Sequence, residues 1–167
     1  MNAGAFGHEI LEAAREVRAL DPQGRWVRLR PEEIARGYRT TSLMHNGMIV
    51  TGATFGLSRG DAQAIRGRMT QLRAQRATRI APNSRCAGSV FKNPKPQAAG
   101  QLLEAAGCKG LRVGGAAVSQ LHANVIVNEG GATAADVITL MREMRGRVRE
   151  RFGVELEPEV ILKGVSL

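Results

Sequence analysis

Aromatic residues are scarce in this 167-residue chain: one Trp, one Tyr and four Phe, 4% of the total. Single-stranded nucleic acid is usually gripped on stacked aromatic platforms, so the scarcity argues against that partner. Cysteine is also rare. Cys86 and Cys108 are too few for a disulfide scaffold and lack the CxxC spacing of a metal site. No run of 18 or more apolar residues occurs, so no segment is expected to span a membrane. The first residues lack a basic stretch followed by a hydrophobic one, so no secretory signal is visible and a reducing cytoplasm is the expected setting. HExxH and P-loop patterns are missing, and the glycines between 110 and 115 have the wrong spacing for GxGxxG. His8, His45 and His122 have no partners at metal-ligand spacing, so no metal is expected, and a lone histidine is more often structural.

Positive charge, by contrast, is plentiful. The formal net charge of +9 predicts attraction to anions, whether nucleic acid, acidic lipid or a phosphorylated small molecule, and by itself does not choose among them. The 43% apolar fraction suffices for a core.

Residues 2–7 are small and glycine-rich and read as a tight loop. Residues 16–20 and 25–29 alternate about the turn Asp21-Pro22-Gln23-Gly24, a hairpin signature. Pro31-Glu32-Glu33 suits a short helix start. Residues 48–57 read as a strand, and Asp61 can cap a long helix with Ile65, Met69 and Leu72 on one face. Arg66, Arg68, Arg73, Arg76 and Arg79 fall on the other face, either simply solvated or a phosphate-binding stripe.

Three prolines make 82–96 a structured loop with at most one short strand, followed by a helix over 98–106 that Gly107 stops. Residues 116–118 and 125–127 are strand-like. Thr133 and Asp136 form a capping box for a helix that turns Val137, Leu140, Met141, Met144, Val148 and Phe152 inward and ends before Gly153. A last strand is expected over 159–162. The order predicts an α+β fold with a boundary near Gly60.

Three polar residues stand in tightly specified surroundings. Ser89 lies between Gly88 and an apolar pair, ahead of Lys92-Asn93-Pro94. Arg39 follows Tyr38, and Glu159 sits between Pro158 and an apolar run. They read equally as a loop hydroxyl, a surface arginine and a strand-end acid. Residue chemistry alone does not choose function for Ser89 and leans against it for Arg39 and Glu159.

A family pattern adds to this. Met1-Asn2-Ala3-Gly4-Ala5-Phe6-Gly7 resembles the glycine-rich flavin-side segment of UDP-N-acetylenolpyruvoylglucosamine reductases, and Gly37-Tyr38-Arg39 resembles their Tyr-Arg motif. Cys86-Ala87-Gly88-Ser89-Val90-Phe91-Lys92-Asn93-Pro94 is similar to their most distinctive motif, continued by Ala99-Gly100-Gln101-Leu102-Leu103-Glu104-Ala105-Ala106-Gly107. His122-Ala123-Asn124-Val125-Ile126-Val127-Asn128, Ala132-Thr133-Ala134-Ala135-Asp136-Val137 and Leu156-Glu157-Pro158-Glu159-Val160 follow in the family's order. Thr41 stands where the family usually has Ser, Cys108 where Leu is common, and Gln120-Leu121 replaces a more polar pair.

The resemblance implies a flavoenzyme in which NADPH reduces bound FAD, and the enolpyruvyl group of UDP-N-acetylglucosamine enolpyruvate is then reduced to give UDP-N-acetylmuramate for peptidoglycan. Ser89 would donate the proton, while Arg39 and Glu159 would stabilise the substrate carboxylate. Tyr38, Lys92, Asn93 and Lys109 would hold the substrate, and Asn2, Ala3, Gly4 and Gly7 would border the flavin. Residues 1–60 would be the end of a strand-rich FAD-binding domain and 61–167 the substrate-binding domain, since family members carry a flavin-binding region ahead of the Asn-Ala-Gly motif. Two further readings stay open: a UDP-sugar-binding module unable to hold FAD alone, and, remotely, a basic nucleic-acid-binding domain.

Overall fold

All of residues 1–167 are described by a computed structural model, in which short antiparallel strands and five α-helices make an α+β protein. No helix is long and apolar enough to cross a membrane. The chain divides into two compact units, Met1–Asp61 and Ala62–Leu167.

The first unit opens on a hairpin rather than the expected loop. Strands β1 (Gly4–Ala5) and β2 (His8–Glu9) pair across a turn in which Phe6 and Gly7 both have positive φ. Two left-handed residues in succession match the twist of the flanking strands, so a glycine-rich run closes into a hairpin here. A one-turn helix α1 (Ile10–Ala13) leads into β3 (Ala14–Leu20), which pairs with β4 (Trp26–Leu29) as its alternation predicts. The turn between them is held by Asp21: one carboxylate oxygen accepts the N–H groups of Gln23 and Arg25, both at 2.9 Å, and the other accepts Arg25 Nε at 2.7 Å. These donors, the Arg25 N–H foremost, hold the Asp21 carboxyl below its ordinary range.

A 3-10 turn at Pro31–Glu33 follows, then a second small hairpin, β5 (Arg36–Gly37) and β6 (Thr40–Thr41), and a one-turn helix α2 (Ser42–His45). These pieces are too short to carry a legible periodicity. Strand β7 (Ile49–Phe55) returns to the free edge of β3, giving the order β4-β3-β7. Leu11, Ala14, Val17 and Ile34 form the small core, with Leu29 and Leu43 against it. Much of the apolar surface of β7 stays outside it, with Val50 52% and Phe55 43% exposed.

The second unit begins with α3 (Ala62–Ala77), the long helix expected here, but its apolar face is not packed into a core. No residue of α3 is buried, and Ile65 and Met69 remain 47% and 46% exposed. Three apolar side chains among basic and polar ones make too narrow a stripe to anchor a helix. Arg79 lies beyond its end. The proline-rich stretch contains one strand, β8 (Cys86–Ser89), and then α4 (Ala99–Ala105). Strands β9 (Arg112–Val113), β10 (Ala116–Val118) and β11 (Val125–Asn128) complete a four-stranded antiparallel sheet, ordered β8-β11-β10-β9.

Helix α5 (Ala134–Phe152) packs Ile138, Leu140, Met141, Met144 and Val148 inward, with Val137 half-buried beside them. Phe152 departs from the expected inward set: it is exposed, under the Arg151 guanidinium 5.5 Å from its ring, because the last turn runs past the edge of the core. The capping box is present. Thr133 Oγ1 accepts the Asp136 N–H at 3.1 Å and the Asp136 carboxylate accepts the Thr133 N–H at 2.8 Å. At the other end Gly153 adopts φ 67°, the left-handed conformation that stops a helix at little cost for glycine. Thr133→Ala is expected to lower the stability of this unit by about 1 kcal/mol, read as a lower midpoint in thermal or urea melting with an unchanged m-value.

The strand expected over 159–162 does not form. Pro158 makes one isolated bridge to Phe91, and the N–H groups of Glu159 and Val160 then both turn to the Val90 carbonyl, at 2.8 and 3.4 Å. Two successive donors on one acceptor require a bend, which is incompatible with extended pairing.

Candidate active site

Strand β8 is irregular where it matters. Ser89 pairs with Val125 and Cys86 with Val127, so Ala87 and Gly88 together face the single residue Ile126. This bulge is made by Gly88, whose φ of 83° is strained for any residue with a side chain. The bulge re-aims the strand, leaving Ser89 exposed although Val90 and Phe91 beside it are buried.

Beyond Ser89 the backbone is held on both sides. On one side the Asn124 carbonyl accepts the Val90 N–H at 2.9 Å. The Asn124 side chain accepts the Phe91 N–H at 2.9 Å and donates to the Phe91 carbonyl at 2.8 Å. On the other side the Val90 carbonyl accepts the Glu159 N–H, and the Glu157 carbonyl accepts the Lys92 N–H at 2.8 Å. Ser89 and Glu159, 70 residues apart, are thus joined through the backbone of one intervening residue.

The neighbouring candidates are already engaged within the chain. Lys92 Nζ pairs with the Glu157 carboxylate, and Lys109 Nζ donates to Glu104 at 2.6 Å. Both carboxylates are largely exposed, so such pairs are weak and exchange for another anion at small cost. Asn93 Oδ1 accepts the Ala99 N–H at 3.0 Å, satisfying a free donor at the start of α4. His122 accepts the Asn124 N–H on Nδ1 at 3.1 Å, which places its proton on Nε2. Burial, with the Arg79 and Lys109 charges adding to it, holds the His122 pKa below its ordinary value. Next to β8 a cavity of about 530 Å3 is lined by Arg76, Ser84, Cys86 and Gly88 among others. No cluster of His, Cys, Asp or Glu suited to a metal ion is present.

In the first unit, Tyr38 and Arg39 form the two-residue turn between β5 and β6. Arg39, at φ 58°, lies 4.9 Å from the Tyr38 ring centroid and donates to the Gly4 carbonyl at 3.4 Å. The turn therefore brings Arg39 against the glycine-rich hairpin. Asn2 is only 4% exposed and turned inward, donating to the Glu9 carboxylate and accepting the Leu11 N–H at 3.4 Å. What the hairpin offers outward is the surface around Ala3, Gly4 and Ala5, where side chains no larger than methyl permit close approach. A Cβ at Gly4 would come within 2.9 Å of the His8 carbonyl. An apolar groove of about 280 Å3 adjoins this segment, lined by Met1, Ile10, Leu11, Val50 and Phe55 among others.

One structurally committed residue at this site is not singled out by its sequence. Asn124 is legible there only as part of a motif. The available signal is an amide between Ala123 and the apolar run 125–127, where a polar side chain must find partners in the core.

Residues 81–163 match the family described as UDP-N-acetylenolpyruvoylglucosamine reductase, C-terminal domain. The UDP-N-acetylenolpyruvoylglucosamine reductase of Trichormus variabilis is 44% identical over 98% of this chain and 50% of its own length. UDP-N-acetylenolpyruvoylglucosamine reductase 2 of Symbiobacterium thermophilum is 48% identical over 98% of this chain and 53% of its own. The crystal structure of UDP-N-acetylenolpyruvylglucosamine reductase from Thermus caldophilus superposes with a TM-score of 0.82 at 38% identity, over 95% of this chain and 56% of that one. With its distinctive motifs lying in the matched region, and spanning about half the length of these relatives, the chain belongs to the UDP-N-acetylenolpyruvoylglucosamine reductase family.

Proposed function

We propose that this chain supplies the substrate-handling part of an NADPH-dependent, FAD-mediated reductase that converts UDP-N-acetylglucosamine enolpyruvate to UDP-N-acetylmuramate in the cytoplasm, for peptidoglycan synthesis. Bound FAD, reduced by NADPH, supplies the hydride. Ser89 then gives its hydroxyl proton to the carbanion-like carbon left in the substrate. Serine is a weak acid, but such a carbon is a strong base, and the transfer is fast when the donor is held in place. Arg39 is assigned as the cation, and Glu159 as the acid, that stabilise the substrate carboxylate as it takes on enolate character. Lys92, Asn93, Lys109 and Tyr38 are assigned to holding the substrate.

The observation that carries this reading is the doubly held backbone after Ser89. An exposed hydroxyl on a strand pinned by Asn124 on one side and by the segment 157–159 on the other suits a preorganised donor, and the Glu159 backbone is bonded to the next residue, Val90. Asn2, Ala3, Gly4 and Gly7 fit one wall of a flavin site, since Asn2 braces the hairpin and the small residues leave its backbone approachable. The small volume of the adjoining groove favours a second reading of the chain taken alone, as a UDP-sugar-binding module that does not retain FAD.

Calorimetry with UDP-N-acetylglucosamine tests the substrate side directly. Binding is expected, weakening as salt is added, because a diphosphate meets a chain of net charge +9. A titration that shows no binding, or binding indifferent to salt, counts against the site.

A further inference from the structure

Asn124 is a buried amide to which the proposed chemistry gives no part, yet its side chain is wholly committed to the strand that carries Ser89. It is 2% exposed, and its Oδ1 and Nδ2 meet the N–H and C=O of the same residue, Phe91, at 2.9 and 2.8 Å. A primary amide presenting an acceptor and a donor to one residue does what a neighbouring strand does. Strand β11 cannot do so itself at this point. It begins at Val125, and the chain before it turns back, with the Val125 N–H donating to the His122 carbonyl at 3.1 Å.

The Asn124 side chain therefore replaces the missing rung and extends the pairing two residues past Ser89. It fixes the peptide planes on either side of Phe91. The Asn124 backbone carbonyl, accepting the Val90 N–H, fixes the plane between Ser89 and Val90, and together they set the direction in which Ser89 leaves the backbone. His122 Nδ1 accepts the Asn124 backbone N–H and so holds the backbone from which the amide projects. Phe91 is 1% exposed, so without Asn124 its N–H and C=O are left in the core without partners and the strand must shift to find them. We propose that Asn124 is a positioning residue for proton donation by Ser89; this rests on the reading of Ser89 given above.

The test uses a full-length, flavin-loaded enzyme carrying this sequence. Asn124→Asp keeps the size and the acceptor for the Phe91 N–H but sets a second oxygen against the Phe91 carbonyl. It is expected to lower kcat by about tenfold to a hundredfold, leaving the substrate KM and the rate of flavin reduction by NADPH within about threefold. In a Ser89→Ala background the same substitution is expected to lower residual turnover no further, since two residues that act through one step are not additive. Circular dichroism melting identifies a variant that fails to fold. Asn124→Ser, which keeps a hydroxyl and leaves room for a water, then takes its place in the comparison.

A folded variant with wild-type kcat overturns the positioning role. So does a loss shared equally by flavin reduction, or a further loss in the Ser89→Ala background. If Ser89→Ala alone retains turnover, the assignment of Ser89 fails and this inference fails with it. If Ser89→Ala is inactive while folded Asn124 variants are unimpaired, only the present inference fails.

Discussion

In a full-length enzyme carrying this sequence, Ser89→Ala is expected to cut product formation by about 10²–10⁴-fold, the range that a positioned general acid contributes. Flavin reduction by NADPH is expected to continue at nearly the wild-type rate. The two half-reactions make different demands. Reducing the flavin requires only that NADPH reach the ring, whereas completing the product requires a proton at a defined carbon. Loss of one hydroxyl from an exposed strand position removes little packing, so the fold is expected to survive the change. Stopped-flow absorbance separates the steps, with flavin bleaching reporting the first and its return on adding substrate reporting the second. Equal slowing of both phases would show that Ser89 is structural.

The 167-residue chain by itself is expected to purify without bound FAD and to show no reductase activity. Sites for ligands of drug size enclose about 300–1,000 Å3 and bury most of the ligand, and FAD is larger than such a ligand. The groove beside the glycine-rich hairpin encloses about 280 Å3, room for part of a flavin and not for the dinucleotide. Missing even three or four charge-assisted hydrogen bonds to the pyrophosphate, at about 1.5–3 kcal/mol each, weakens binding by several orders of magnitude. Exposed Ile49, Val50, Phe55 and Leu57 also predict poor solubility, because apolar surface of this kind promotes association. A visible spectrum of the purified protein, with and without added FAD, checks the expectation. A yellow, stoichiometrically flavinated preparation that oxidises NADPH in the presence of substrate would overturn it.

Elements with a strong local signal are legible in the amino-acid sequence. The Asp21 turn between two alternating strands, the Thr133–Asp136 cap and the inward face of α5 down to Val148 are specified by residues near one another along the chain. Shorter pieces are not. The hairpins at Gly4–Ala5 with His8–Glu9 and at Arg36–Gly37 with Thr40–Thr41 use two residues a side, below the length at which alternation has meaning. Helix α3 shows the converse failure. Its periodicity is real, yet Ile65 and Met69 find no core to enter, because spacing predicts which side chains share a face and says nothing of what that face meets.

The candidate site divides in the same way. Sequence alone determined the identity of the motif residues, from Ser89 through Asn93 and on to Glu159, and with it the family. Tertiary structure alone decided that the Glu159 backbone bonds to Val90, the residue after Ser89, that Lys92 and Lys109 rest on Glu157 and Glu104, and that Asn124 supplies the missing rung. The physical reason is that hydrogen-bond partners are chosen by proximity in space. A buried donor such as the Phe91 N–H must be satisfied by whatever the fold brings to it, and here that is an amide 33 residues further along the chain.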